Sequence, residues 1–417
     1  MFHPAKGRTG TIVDGAQSGP AFHPAPGTAR AAIPAPDAAP PGADVLCVTQ
    51  VPATAERPAR AVAAALGPGP FALVCLFAAP SADFAGLAAD CAGLFGDAEV
   101  IASTTAGEIG ADGYEEDQIV AVGFPAGLFA VTAYPVTPLS ALDERVTDEL
   151  IQRRSALSER PGAAGMAAEF AFLLVDGLSM REEHLTAMLS RGLGPMPLFG
   201  GSAGDGTRFG ETLLALNGRV MRDAALVTLV RSRCPVRVFS LDHLVPTETR
   251  MVVTAADPER RVVQEINAEP AAREYARLLG KDPHQLDPFV FAAYPVAVRL
   301  GDTHHVRAIQ RVNEAGELVF FSAINEGMVL TLAHPGDMSE HLERSLADLG
   351  RDGPPARILG CDCILRRIEA GQSQQTRAIS RILARHRVTG FSTYGEQFGS
   401  LHVNQTLTGV AIYAPEG

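Results

Sequence analysis

The sequence predicts an α/β fold of layered, mixed β-sheets with flanking helices, built from duplicated strand-helix-strand-strand units. Three observations predict it. An apolar run of strand length followed by a stretch with helically spaced apolar residues occurs three times in the 417 residues. Each helical stretch leads into a second apolar strand. Each second strand ends in related chemistry, a small hydroxyl residue, then glycine, then a carboxylate.

Residues 1–42 precede the first unit and are rich in Pro, Gly, Ala and Thr. Such a composition buries too little to repay the entropy of ordering a chain, so a disordered leader is expected there. The tetrapeptide FHPA at 2–5 and 22–25 places His3 and His23 in it. The start MFHPAKGRTG lacks the apolar stretch of a signal peptide, and no uninterrupted apolar segment reaches about 18 residues. A cytoplasmic protein without a membrane partner is the expectation.

The first unit reads FALVCLFAAP, then ADFAGLAADCAGLF, then a strand ending in Ser103, Thr104, Thr105, Ala106, Gly107 and Glu108. The second reads FAFLLVDGLS, then REEHLTAMLSRGLG, then a strand ending in Gly201, Ser202, Ala203, Gly204 and Asp205. The third reads ARILGCDCILRR, then QSQQTRAISRILARH, then a strand ending in Phe391, Ser392, Thr393, Tyr394, Gly395 and Glu396. Ile379, Ile382 and Leu383 mark the apolar face of the third helix. A further strand follows at 118–124, 223–230 and 407–412.

Residues 251–340 depart from this pattern. ERRVVQEINAEPAAREYARLLG reads as two short helices or one broken at Pro270. FVFAAYPVAVRL reads as a strand. Turns at Glu314-Ala315-Gly316 and Asn325-Glu326-Gly327 divide the next stretch into three strands, and DMSEHLERSLADL reads as a helix. The division expected is a leader over 1–42, an N-terminal α/β domain over 43–250 and a C-terminal one over 251–417.

A formal net charge of -12 and the absence of tryptophan argue against a nucleic-acid partner. Six scattered cysteines are too few for a disulfide scaffold. Phosphate-loop, dinucleotide and HExxH motifs are absent from the sequence. Gly200-Gly201-Ser202-Ala203-Gly204 matches GxSxG, but hairpin-like sequence follows where a nucleophile elbow needs a helix, so no catalytic residue is assigned.

Several residues have side chains suited to binding. A strand at Cys361-Asp362-Cys363 puts both thiols on one face, where they are either two small core residues, a soft-metal pair or a redox pair. His243 ends an apolar strand, where it is a ligand, a hydrogen-bonding residue or part of a turn. Arg366 faces either an anionic ligand or a carboxylate such as Glu396. Glycine turns at strand ends are where α/β proteins hold ligands, and Gly204, Asp205, Arg366, Glu396 and Gln405 are candidates for a polar pocket. FSTYGEQF is expected to close a strand with a tight turn and to place Tyr394 and Glu396 near a cleft.

Longer strings resemble a known family. LLVDGLSMREEHL, PLFGGSAGDGTRF, PTETRMVVTAAD, EINAEPAAREYARLLG, LGCDCILRR, FSTYGEQF and HVNQTLTGVAI are similar to those of the bacterial FIST proteins, over about 45–415. The resemblance implies an N-terminal and a C-terminal FIST domain in a sensory, non-enzymatic protein. One branch, the nitric-oxide-sensing haem proteins, implies non-covalent haem b, a partner histidine kinase, nitric oxide as input, biofilm control and a possible homodimer. On that resemblance His243 is the preferred axial ligand and metal-binding residue, with Tyr394 and His402 next and Cys361 a further candidate. The same family also allows a small metabolite as the ligand, and a hydrolase is the remoter alternative.

Overall fold

A computed structural model describes residues 44–300 and 303–415. The expected leader, with His3 and His23, lies outside the described residues. The chain is mixed α/β, with several layered mixed sheets.

One connectivity occurs three times. The first unit runs β1 (Cys47–Pro52), α1 (Pro58–Leu66), β2 (Phe71–Ala78), α2 (Phe84–Cys91), β3 (Glu99–Thr104), a hairpin of β4 (Glu108–Gly110) and β5 (Gly113–Glu115), then β6 (Gln118–Pro125). The second runs β7 (Phe129–Val136), α3 (Arg145–Glu159), β8 (Ala168–Val175), α4 (Glu182–Leu193), β9 (Leu198–Ser202), a hairpin of β10 (Leu214–Leu216) and β11 (Arg219–Met221), then β12 (Ala225–Ser232).

The third unit opens with β13 (Val236–Leu241) and is then interrupted. The interruption holds β14 (Leu244–Asp257), β15 (Val262–Ile266), β16 (Glu269–Pro270), α5 (Ala271–Leu279), α6 (Pro288–Ala293), β17 (Val296–Leu300), β18 (Thr303–Arg307), β19 (Ile309–Val312), β20 (Leu318–Phe320) and β21 (Val329–Pro335). The unit resumes with α7 (Met338–Asp348), β22 (Arg357–Cys363), α8 (Ile364–Gln372), α9 (Thr376–Arg385), β23 (Val388–Thr393), a hairpin of β24 (Glu396–Phe398) and β25 (Leu401–Val403), then β26 (Leu407–Ile412).

Each unit forms four strands of a six-stranded sheet and takes the last two from another unit. The orders are β1-β6-β2-β3-β10-β11, β7-β12-β8-β9-β24-β25 and β13-β26-β22-β23-β4-β5. The hairpins are thus exchanged in a closed cycle. Register keeps the copies equivalent, because Leu214 lies opposite Ser103, Glu396 opposite Gly201 and Glu108 opposite Phe391.

The inner faces of the three sheets share one core. Phe77 stacks on Phe391 with ring centroids 4.4 Å apart and meets Phe172 edge-on at 6.4 Å. Each outer face is covered by its own helices. Val62 and Leu87 cover the first, Leu150 and Leu189 the second, and Leu342, Ile379 and Leu383 the third. The interruption forms a separate eight-stranded sheet with its own core around Met251, Tyr275, Phe291 and Leu330.

Two readings of the middle segment need correction. Residues 262–266 are a strand, and only Ala271–Leu279 is the helix expected there. The paired β-branched Val262 and Val263 decide this, since both are buried against β14 and β20. FVFAAYPVAVRL begins as helix α6, because Asp287 accepts the Val290 amide at 2.8 Å as an N-cap and Pro288 starts the first turn. Its strand starts only at Val296.

Candidate functional site

The three glycine-bearing strand ends lie together and bind one another through their backbones. Ala106 N–H donates to Ser392 O (2.9 Å), Tyr394 N–H to Ser202 O (3.1 Å) and Gly204 N–H to Thr104 O (3.2 Å). A second set runs from Ser392 N–H to Gly107 O (2.7 Å), Ser202 N–H to Gly395 O (2.8 Å) and Thr104 N–H to Leu213 O (3.0 Å). Each set joins every unit to the next. Small residues are needed where the turns approach. A Cβ on Gly204 would stand 2.8 Å from Ala106 Cβ and 3.1 Å from Tyr394 Cε1.

The second unit breaks this symmetry. Residues 205–212 form an extra loop before Leu213 takes the place that Gly107 and Gly395 hold in the other units. Tyr394 of the third unit holds this loop. Its hydroxyl donates to Asp205 and accepts from Asp205 N–H (3.0 Å) and Phe209 N–H (3.2 Å), while the Phe209 ring stacks on it at 4.4 Å. Asp205 Oδ2 accepts the Gly210 and Glu211 amides at 3.0 and 2.9 Å. Burial would raise the Asp205 carboxyl, but the Tyr394 hydroxyl and these amides outweigh it and lower its pKa.

Two equivalent carboxyls sit where the exchanged hairpins begin. Glu108 accepts from the Thr105 hydroxyl and from Gln118 N–H at 3.2 Å. Glu396 accepts from Thr393 Oγ1 at 2.5 Å and Thr406 Oγ1 at 2.7 Å. Both are fully buried. Burial pushes Glu108 up to about 7 and Glu396 up to about 8, against the opposing hydroxyl bonds. In the second unit Leu214 stands at this position, and Asp176 accepts instead from Thr212 and from Asp223 N–H at 2.7 Å.

Clefts flank two of the three junctions between units. One, of about 410 Å³, is lined by Gly107, Glu108, Asp117, Thr207 and Arg367. Another, of about 460 Å³, is lined by Phe84, Thr104, Asp205, Arg208 and Glu211. Both open at the carboxyl ends of β2 and β3, where α/β proteins hold ligands. The interrupting sheet roofs the third junction, between the β24–β25 hairpin and α4. Arg261 pairs with Glu182 (2.5 Å) and Glu183 (2.7 Å) and donates to Phe321 O (2.6 Å). Ser322 Oγ donates to Asn404 Oδ1 at 2.6 Å, and Arg307 donates to His402 O at 3.3 Å.

The residues expected to bind are distributed over four places. Gly204, Asp205 and Tyr394 meet at the loop. Glu396 is enclosed beside Thr393 and Thr406. His402 and Gln405 belong to the roofed junction, where Gln397 Nε2 lies 3.3 Å from His402 Nδ1 and Gln405 Nε2 donates to Ala292 O at 3.4 Å. His243 and Arg366 lie together elsewhere, behind β22.

Arg366 pairs with Asp362 (Nε to Oδ1, 2.7 Å), which corrects the expected pairing with Glu396. Asp362 points away from the shared core toward α8, four residues on, and also accepts from the Tyr114 hydroxyl. Arg366 Nη1 donates to His243 Nδ1 at 3.0 Å, and His243 Nε2 lies 2.8 Å from Glu369 Oε1. A guanidinium can only donate, so Nδ1 accepts and the imidazole proton sits on Nε2, facing Glu369.

These positions do not fit a haem ligand set. The one lone pair of neutral His243 is directed at Arg366, and the Tyr394 oxygen is committed to the loop. Cys361 holds the inward position that Phe77 and Leu174 hold in the other units, and burial pushes its thiol well above the ordinary range. Among the described residues, no group of three or more His, Cys, Asp or Glu side chains is placed to hold a metal ion. No described helix is long and apolar enough to cross a membrane.

Sequence reasoning missed Arg261 and Arg307. Isolated arginines carry no motif, and only their burial marks them. Thr105 and Thr393 had a visible signal, because Thr-x-Gly-Glu occurs at both strand ends. Residues 72–269 match the family model of the FIST N domain, and residues 271–399 match that of the FIST C domain. No curated protein matches the chain.

Proposed function

The chain belongs to the FIST family, whose domains indicate a sensory role in signal transduction, and from that premise we propose that it binds a small polar metabolite between its units and reports to a partner histidine kinase. The loop at 205–212 carries the metabolite reading. It borders both open clefts, and the hydroxyl that holds it belongs to another unit. A ligand seated against the loop would therefore act on strand ends of all three units through one ring of backbone bonds. Such coupling between a site and a packed assembly is what a sensor needs. The kinase as partner rests on the family resemblance alone.

Thermal shift against a panel of small metabolites is the test. A compound that raises the melting temperature of the wild-type chain, and raises it less in Tyr394→Phe, supports the reading. No response to any compound would count against it. The haem and nitric-oxide reading requires His243 to exchange Arg366 for iron. One haem per chain, with a Soret band that moves on adding nitric oxide and is lost in His243→Ala, would replace the metabolite reading with that one.

A further inference from the structure

The roofed junction differs from the two open clefts in its charges. Asn404 and Gln405 hold the places in the third unit that Glu116 and Asp117 hold in the first, just before the last strand. The left-handed backbone of Gln405 (φ 53°) matches that of Asp117 (φ 56°). Two carboxylates beside the open cleft are thus replaced by two neutral amides. The interrupting sheet then adds a cation, Arg307.

Arg307 is only 7 % exposed. Its Nη1 donates to backbone oxygens, Val306 O at 3.0 Å and His402 O at 3.3 Å, and its Nε meets no acceptor among the described residues. The nearby carboxylates are committed elsewhere, since Glu182 and Glu183 both pair with Arg261. A buried guanidinium without a carboxylate is costly unless an anion completes it.

Three neighbouring amides are also incomplete. Gln397, Asn404 and Gln405 are fully buried, and one polar atom of each lacks a partner (Gln397 Oε1, Asn404 Nδ2 and Gln405 Oε1). Turning an amide over only exchanges which atom is left unpaired. Buried polar atoms are nearly always satisfied, so several unsatisfied ones in one junction mark a place for a polar guest. Gly395 lets the backbone pack closely against them, because a Cβ there would stand 2.3 Å from His402 Cε1 and 3.0 Å from Asn404 Nδ2.

We propose that this roofed junction is a second ligand compartment of the sensor, apart from the open clefts at the 205–212 loop, and that it takes a small organic carboxylate, received by Arg307 and oriented by the Gln397, Asn404 and Gln405 amides. The proposal rests on the sensory reading and adds to it a second site with its ligand class. The roof, contributed by the interrupting sheet, must part to admit the ligand and close over it. Ligand occupancy would thereby be tied to the position of that sheet.

The test uses the full chain and its Arg307→Gln, Arg307→Lys and Asn404→Leu variants. Acetate, lactate, succinate and inorganic phosphate serve as probes in thermal shift and calorimetry, alongside native mass spectrometry of the purified chain. The expected result is that a carboxylate raises the melting temperature of the wild type. Arg307→Gln should weaken binding by about tenfold or more, the value of a buried charge-assisted hydrogen bond, and Arg307→Lys should lose less. A response to phosphate alone overturns the ligand class. A carboxylate response that survives Arg307→Gln and Asn404→Leu but fails in Tyr394→Phe overturns the location and leaves the sensory reading standing. If no probe binds, the purified chain carries no adduct and Arg307→Gln is simply more stable, the unpaired groups hold water only and the proposal falls.

Discussion

Glu108 and Glu396 are the residues whose chemistry is most exposed to pH. Both carboxyls have folded-state pKa values, about 7 and about 8, above the ordinary 4.5. A raised carboxyl pKa means that the folded chain holds its proton more tightly than the unfolded one. The associated stability is complete below pH 4.5 and is lost as pH rises toward the folded values, by about 3 kcal/mol for Glu108 and about 5 kcal/mol for Glu396. Glu108→Gln and Glu396→Gln should therefore be more stable than wild type at pH 8, with the gap closing at pH 5. Urea midpoints at the two pH values measure this, and equal gaps would refute it. At the same scale, Tyr394→Phe leaves two loop amides without their acceptor and should cost about 2 kcal/mol. Faster hydrogen exchange confined to 205–212 would show that the loss is local. The sequence shows that Glu108 and Glu396 end related turns. It does not show that they are buried, because burial there depends on hairpins exchanged between units.

At the scale of elements, the strand-helix-strand cores were readable from the chain, since each carries its own apolar period. Ile379, Ile382 and Leu383 do face the third sheet as that period implies. The hairpins were not readable in the same way. Each strand of a hairpin has three residues, and its partner strand is set by register with a distant unit rather than by local pattern. The first hairpin shows how exacting that seat is. Gly113 has φ 94°, and a Cβ there would stand 2.4 Å from Ser380 Cα on α9. Gly113→Ala should cost about 3 kcal/mol, combining backbone strain with a clash against main chain. A melting temperature unchanged from wild type would show that the hairpin does not sit there. His243 illustrates the opposite limit. Its place at a strand end was readable, whereas its two partners, Glu369 and Arg366, come from a helix more than a hundred residues later.

At the scale of the whole molecule, the interrupting sheet and the three-unit core are separable in construction. The ends of the interruption meet, because Gly336 N–H donates to His243 O at 2.8 Å. In the other two units a short connection joins the edge strand to the following helix. Replacing 244–335 by a short linker should leave a cooperatively folded core, with Glu182 and Glu183 opened to water. Circular dichroism and a single unfolding transition would establish it, and an unfolded product would show that the sheet is needed to hold the units together. The deletion should also abolish any carboxylate response, since Arg307 leaves with the sheet.

The closed exchange of hairpins also bears on how the chain comes to be folded as it is made. The second unit borrows its last two strands from residues 396–403, translated well after β9 (Leu198–Ser202). Until those residues emerge, β9 presents a bare edge of unpaired amides and carbonyls, the surface on which nascent chains stick to one another. A ribosome stalled before residue 396 would hold a polypeptide with its second sheet still open, however long its first two units had waited. Residues 396–403 act as a latch for a sheet translated long before them, and chaperone demand should end only when that latch closes.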